Sequence, residues 1–178
     1  MCSVQDTTLT VVNTADIQQG IKLLVATTRR MPVECLNPKI KSLNYLNNIL
    51  ARIEANEAGM DEALMLNVNG FVTEGTVDNI FMIKDRVLMT PKISDGLLQG
   101  ITWDVILQIA KKLAISTTET SLTIDDILQA DECFLSGTGV ELIVVSQLNQ
   151  HIFTPPLQPV FPVIAKAFRQ EISNDMLV

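Results

Sequence analysis

Four short stretches carry residue types that could do chemistry together. Lys41 stands just before a helical pattern, in Ile40-Lys41-Ser42-Leu43-Asn44-Tyr45. Glu74 sits in an acidic, glycine-bearing loop, Thr73-Glu74-Gly75-Thr76-Val77-Asp78-Asn79. Gly100-Ile101-Thr102 opens a second helical pattern, and Ser136-Gly137-Thr138-Gly139 joins two strand-like runs. A lysine amine condenses with an aldehyde when its pKa is lowered in a dry site. Backbone N–H groups at a helix start or a glycine turn hold an anion such as phosphate. A carboxylate keeps a pyridinium nitrogen protonated. Together these are the protein requirements of pyridoxal phosphate (PLP) chemistry. Taken singly, each stretch also has a structural reading: a solvated lysine, an exposed hairpin loop, a helix start with Thr102 as N-cap, a tight connection.

The elements that must position these residues follow from periodicity and turn signals. Leu9–Asn13 and Gly20–Thr27 read as strands. Arg29, Arg30, Met31 and Pro32 break the pattern, and Pro38 keeps Asn37 extended. Tyr45, Leu46, Ile49, Leu50 and Ile53 recur at helical spacing within 44–58, and Gly59 stops that helix. A short apolar run at 62–67 leads to a turn at Val68-Asn69-Gly70, after which Phe71-Val72 continues a strand. Runs 79–84 and 86–90 form a hairpin through Asp85. A second amphipathic helix spans 101–114, with Val105, Ile106, Ile109, Ala110 and Leu113 on one face. A strand at 116–120, a short helix at 124–129, strands at 131–136 and 141–148, a loop at 155–162 and a helix at 163–172 complete the chain. Hairpins with helices between them predict an α+β fold with a mixed or antiparallel sheet, or a barrel-like one, rather than strict βαβ alternation.

Composition narrows the possibilities further. The 178 residues suit one domain with a real core, and 47% hydrophobic against 19% charged residues is globular composition. A net charge of −7 argues against general nucleic-acid binding, and 4% aromatics argues against base-stacking platforms. Neither a run of about 18 apolar residues nor a secretory n-region and h-region is present, so no membrane span or signal is expected. Cys2, Cys35 and Cys133 are odd in number and widely spaced, giving neither a disulfide framework nor a zinc site. A reducing cytoplasm is the simplest compartment. The single histidine, His151, beside an exposed turn, is read as a surface residue. No GxGxxG or GxxxxGK[ST] pattern occurs, which removes the usual dinucleotide and P-loop readings.

The same stretches carry a family resemblance, over roughly 20–145. The segment 40–48 around Lys41, the run 62–67, the loop 73–81 around Glu74, Leu98-Gln99-Gly100-Ile101-Thr102, and 130–138 appear in order. In this the sequence resembles class IV (fold type IV) PLP-dependent aminotransferases, and the branched-chain amino acid aminotransferases among them. The resemblance implies the large-domain fold of that class, with residues 1–178 forming one PLP-binding domain. It implies that Lys41 holds PLP and shuttles a proton, that Glu74 pairs with the pyridine nitrogen, and that Tyr45 contacts the phenolic oxygen. Leu98 would pack on the ring. The Ile101 N–H, Thr102 and Thr138 would bind the phosphate, and Thr138 and Gly139 would meet the substrate carboxylate. No metal is implied.

The resemblance also implies an activity: amino transfer from a branched-chain L-amino acid to 2-oxoglutarate, by a homodimer. D-amino acid aminotransferases and aminodeoxychorismate lyases share the same lysine and glutamate, and fold does not fix substrate. The sequence departs from the family pattern at Trp103, where an arginine is usual, in 139–145, and in the turn at 151–156. The family's smaller N-terminal domain, with its phosphate-gripping arginine, has no counterpart in these residues. A non-catalytic domain is therefore a third reading.

Overall fold

The computed structural model describes residues 20–137 and 141–175. Its strands are β1 (Ile21–Val25), β2 (Glu62–Leu64), β3 (Asn79–Lys84), β4 (Val87–Pro91), β5 (Thr117–Thr120), β6 (Glu132–Gly137), β7 (Glu141–Leu148) and β8 (His151–Ile152). Its helices are α1 (Leu46–Glu57), α2 (Ile101–Lys112), α3 (Ile124–Leu128) and α4 (Phe161–Asp175). The expected strand at 9–13 lies outside the described residues.

The strands form one mixed sheet in the order β2-β1-β7-β6-β3-β4-β5, with β8 beside β7. Antiparallel pairs run through its middle, and parallel pairs lie towards its two ends. Each end is a βαβ unit: α1 carries the chain from β1 to β2, and α2 from β4 to β5. The mixed sheet matches the expectation, and β2 and β5 leave it open rather than closed into a barrel. Hairpin β3–β4 turns through Asp85 and Arg86, both at positive φ, as a two-residue turn with the favoured twist requires. Phe71-Val72 forms no strand: only an isolated bridge joins Leu66 to Val72, because the Val72 N–H goes to the Leu122 carbonyl.

The central strands are apolar on both faces, so they need cover on both. Ile80, Met82, Cys133, Leu135, Ile143 and Val145 belong to one core. Phe81, Ile83, Phe134 and Leu142 belong to another, closed by α2 and α4. Helix α2 buries Trp103, Ile106, Ile109 and Ala110 against it. Val105 is only partly buried and Leu113 is exposed, so the inward face is narrower than the expected one. The start of α4 is held by buried Glu132, whose two oxygens accept the Val160 and Phe161 N–H groups at 2.6 and 3.0 Å.

Helix α1 turns its small residues inward. Its buried residues are Ala51 and Ala55, which pack closely with Ala26, Ala63 and Met65. Leu46, Ile49, Leu50 and Ile53, the apolar residues at helical spacing, are exposed. Periodicity identified the stripe; the small residues opposite it allow the close approach to β1 and β2.

Candidate active site

The loop between β2 and β3 is built to bury a carboxylate. The Thr73 N–H donates to the Met65 carbonyl at 3.0 Å, and the Met65 N–H donates to the Glu74 carbonyl at 2.9 Å. The Gly75 N–H closes the turn onto the Asp78 carbonyl at 2.7 Å, and a Cβ at Gly75 would stand 3.2 Å from that oxygen. Buried Glu62 accepts the Thr76 N–H at 3.2 Å and pairs with Arg52 at 2.5 Å. The result is a Glu74 side chain held nearly free of solvent.

Its carboxylate meets three partners. Oε2 accepts the Leu98 N–H at 3.0 Å and the Asn79 amide at 3.3 Å, while Oε1 pairs with Arg30 Nη2. Asn79 also donates to the Leu98 carbonyl at 2.8 Å, which ties the loop before α2 to β3. Burial raises Glu74 to about 7; the Arg30 charge and the Leu98 N–H oppose it, Asp78 adds to it, and Lys41 opposes it. Asp78 is also raised to about 7, by burial and by the neighbouring Glu62 charge, against Arg52.

Around Glu74 opens a cleft whose walls include Lys41, Tyr45 and Leu98, together with Arg30, Asn48 and Asp78. Four of the sequence-predicted site residues therefore share one cavity. Tyr45 occupies the N-cap position of α1, so the helix axis fixes where its ring begins. Lys41 lies on the irregular segment before it, exposed and close enough for its charge to act on Glu74. Ile101 and Thr102 lie outside the cleft lining, in the first turn of α2, with Ile101 84% exposed. The N-cap of that helix is Gly100, not Thr102, and no side chain caps it. Its first N–H groups are thus without intrahelical partners. Trp103, at the position of the family arginine, turns inward and donates from Nε1 to Thr90 Oγ1 at 3.0 Å. Thr138 and Gly139 lie outside the described residues. The strand leading to them ends against this site: a Cβ on Gly137 would fall 2.0 Å from Asp78 Oδ1.

Sequence reasoning missed Arg30, Asn48, Asn79 and Asp78. Arg30 reads in sequence only as part of a break, beside an identical neighbour. Its partners come from three distant segments.

The cleft, with its lysine, tyrosine and buried glutamate, can be set beside known proteins. The family described as amino-transferase class IV matches residues 2–148. A Methanocaldococcus jannaschii protein assigned as a branched-chain-amino-acid aminotransferase is 47% identical over 135 residues, 76% of this chain and 47% of the relative. The Thermoproteus uzoniensis branched-chain aminotransferase, solved with norvaline, superposes with a TM-score of 0.82 at 36% identity over 85% of this chain and 51% of its own. The Thermobaculum terrenum branched-chain amino acid aminotransferase in its PLP form gives 0.83 at 30% identity over 88% of this chain and 53% of its own. The chain spans about half the length of the relatives it matches. Motif order, sheet topology and these likenesses agree: the chain belongs to the class IV aminotransferase family.

Proposed function

We propose that this chain is the PLP-binding unit of an aminotransferase that moves the amino group of branched-chain L-amino acids to 2-oxoglutarate. The observation that carries the reading is the Glu74 carboxylate, buried on the wall of a cleft it shares with Lys41 and Tyr45. A carboxylate has about four acceptor positions. Glu74 uses three within the protein, leaving one for a ring N–H. The uncapped first turn of α2 supplies N–H donors suited to a phosphate. The residues present therefore fit the cofactor.

Lys41 would hold the cofactor through its amine, Glu74 its ring nitrogen, and Tyr45 its phenolic oxygen. Leu98 would lie on its ring, and Ile101, Thr102 and Thr138 would hold its phosphate. Bound there, PLP supplies an electron sink for the electron pair released at the substrate Cα. Lys41 Nζ would accept the Cα proton and later return it as general acid. Glu74 keeps a proton on the ring nitrogen through that transfer, and Thr138 and Gly139 orient the substrate carboxylate.

The relatives' names motivate the substrate class. Residues 1–178 are read as one large-domain unit, since the described elements share a single sheet. The free, exposed Cys35 suits a reducing cytoplasm. The partner is a second copy, docked through α1. The stripe Leu46, Ile49, Leu50 and Ile53 continues to exposed Leu43 and Ile40. Two such helices laid antiparallel about a twofold axis match apolar to apolar.

The test is the absorption spectrum of the purified protein titrated with PLP, followed by amino-acceptor assays. A Schiff-base absorption band that Lys41→Ala abolishes is expected. Transamination should favour L-leucine over D-alanine, with no lyase activity on aminodeoxychorismate. Absence of the band at saturating PLP overturns cofactor binding; a preference for either other substrate overturns the substrate class.

A further inference from the structure

The guanidinium of Arg30 touches nothing the sequence places near it. Its backbone N–H donates to the Leu66 carbonyl at 2.8 Å, which fixes the segment beyond β1 against the strand region after β2. Just upstream, the N–H groups and hydroxyls of Thr27 and Thr28 all converge on Glu54 of α1, between 2.5 and 2.9 Å. The chain therefore reaches Arg30 already clamped on two sides.

From that anchored backbone the side chain divides its donors among three structures. Nη1 donates to Asn48 Oδ1 of α1 at 2.8 Å, and Nε to the Gly96 carbonyl at 3.4 Å. Nη2 pairs with Glu74 Oε1. Asn48 is itself fixed, because its amide donates to the Thr76 carbonyl at 2.5 Å, inside the loop that carries Glu74. The side chains of Arg30 and Glu74 are 14% and 7% exposed, so solvent screens their attraction little.

We propose that Arg30 is a positioning residue: clamped by Asn48 and the Gly96 carbonyl, it turns the Glu74 carboxylate so that one acceptor position faces the cleft, and its charge favours the ionised form. The cofactor side of this assignment rests on the function proposed above; the electrostatic side does not. Two further charged or titratable groups bear on the pair, Asp78 and Lys41. Burial drives Glu74 towards its neutral form and Asp78 drives it further, while Arg30 and Lys41 oppose them. Lys41 is exposed and Arg30 is not, so Arg30 supplies most of the opposition. Without it, burial acts on Glu74 with less opposition and favours the neutral acid, which is no counter-ion for a ring nitrogen. Lysine at this position restores charge but not the fork, since an ammonium cannot spread donors over three fixed acceptors in one plane.

Difference infrared spectroscopy of the cofactor-free protein tests this. The protonated-carboxyl stretch of Glu74 is identified by its loss in Glu74→Gln and followed against pH. In Arg30→Gln the midpoint should rise by about one unit or more, a tenfold or greater change in proton affinity. Arg30→Lys should return part of that shift. The affinity for pyridoxamine phosphate, which needs no covalent bond to Lys41, should fall at least about tenfold at pH 8 in Arg30→Gln. A purely structural role would lower the melting temperature without moving the Glu74 midpoint. An unmoved midpoint in folded Arg30→Gln overturns the proposal. Should that variant fail to fold, Asn48→Ala loosens the clamp alone and must raise the midpoint by a smaller amount; no shift there overturns the proposal equally. The infrared reading uses no cofactor. A wild-type protein that fails to bind PLP therefore counts against the proposed function and not against Arg30.

Discussion

Arg29 and Arg30 are the same residue type at adjacent positions with opposite uses. Arg29 Nη1 turns back to the Ala26 carbonyl, a local contact at 2.9 Å. Arg30 reaches Glu74, and the loop between them includes a helix and a strand. That explains what was legible at this scale. Lys41, Tyr45, Glu74 and Leu98 stand in stretches whose types and order announce chemistry. Arg30, Asn48 and Asp78 acquire their meaning only from neighbours supplied by other segments. The buried carboxylates leave a signature in pH dependence. Glu74 and Asp78 rise from ordinary values of 4.5 and 3.8 to about 7, so the folded protein keeps protons that the unfolded chain releases between those limits. The unfolded state binds fewer protons there, and stability falls as pH rises towards 7. Glu54 acts at the other end. Burial works against its charge, but the Thr28 and Thr27 hydrogen bonds outweigh that and hold it at about 2, so its contribution is lost as pH falls below 4.5. The melting temperature of the cofactor-free protein should therefore peak at about pH 4, decline towards pH 7 and level off above it. Glu74→Gln with Asp78→Asn should flatten the decline; an unchanged slope in that double variant counts against the assignment.

Elements were more legible than their orientations. Helices α2 and α4, the β3–β4 hairpin and the β6–β7 pair stand where periodicity and turn residues put them. Helix α1 was also legible in extent, but which of its faces is buried was not. Alanines at 51 and 55 carry little hydrophobic signal, and the leucine and isoleucine stripe carries a strong one. The physical decision is made by distance: only small side chains allow α1 to lie against Ala26, Ala63 and Met65. A larger residue at this contact must push the helix away from the sheet. Ala51→Leu should cost about 1–3 kcal/mol by overpacking, read as a lower denaturant midpoint. Because α1 carries Asn48 and begins at Tyr45, the same substitution should weaken pyridoxamine phosphate binding. A stability loss without any change in binding would mean that α1 does not set the geometry of the cleft.

At the scale of the whole molecule, the outward stripe of α1 is apolar surface on an otherwise acidic protein. Leu50→Glu places a charge in its middle without touching either core. It should convert a light-scattering mass of two copies into that of one while leaving the unfolding midpoint of the single copy within about 0.5 kcal/mol. A wild-type protein that remains a monomer at high concentration removes the second copy as the partner. The sheet order has a consequence in time as well as in space. Strand β1 lies between β2 and β7, and the Val25 N–H waits for Asn149 Oδ1 across 124 positions. During synthesis β1 finds β2 soon after both have emerged, but its other edge stays open until β7 has followed. Arg30, five residues beyond β1, does not share that delay, because its partners Asn48, Leu66, Glu74 and Gly96 all lie before α2. The cleft lining, from Arg30 to Leu98, is therefore drawn from chain that emerges before β7 closes the far edge of β1.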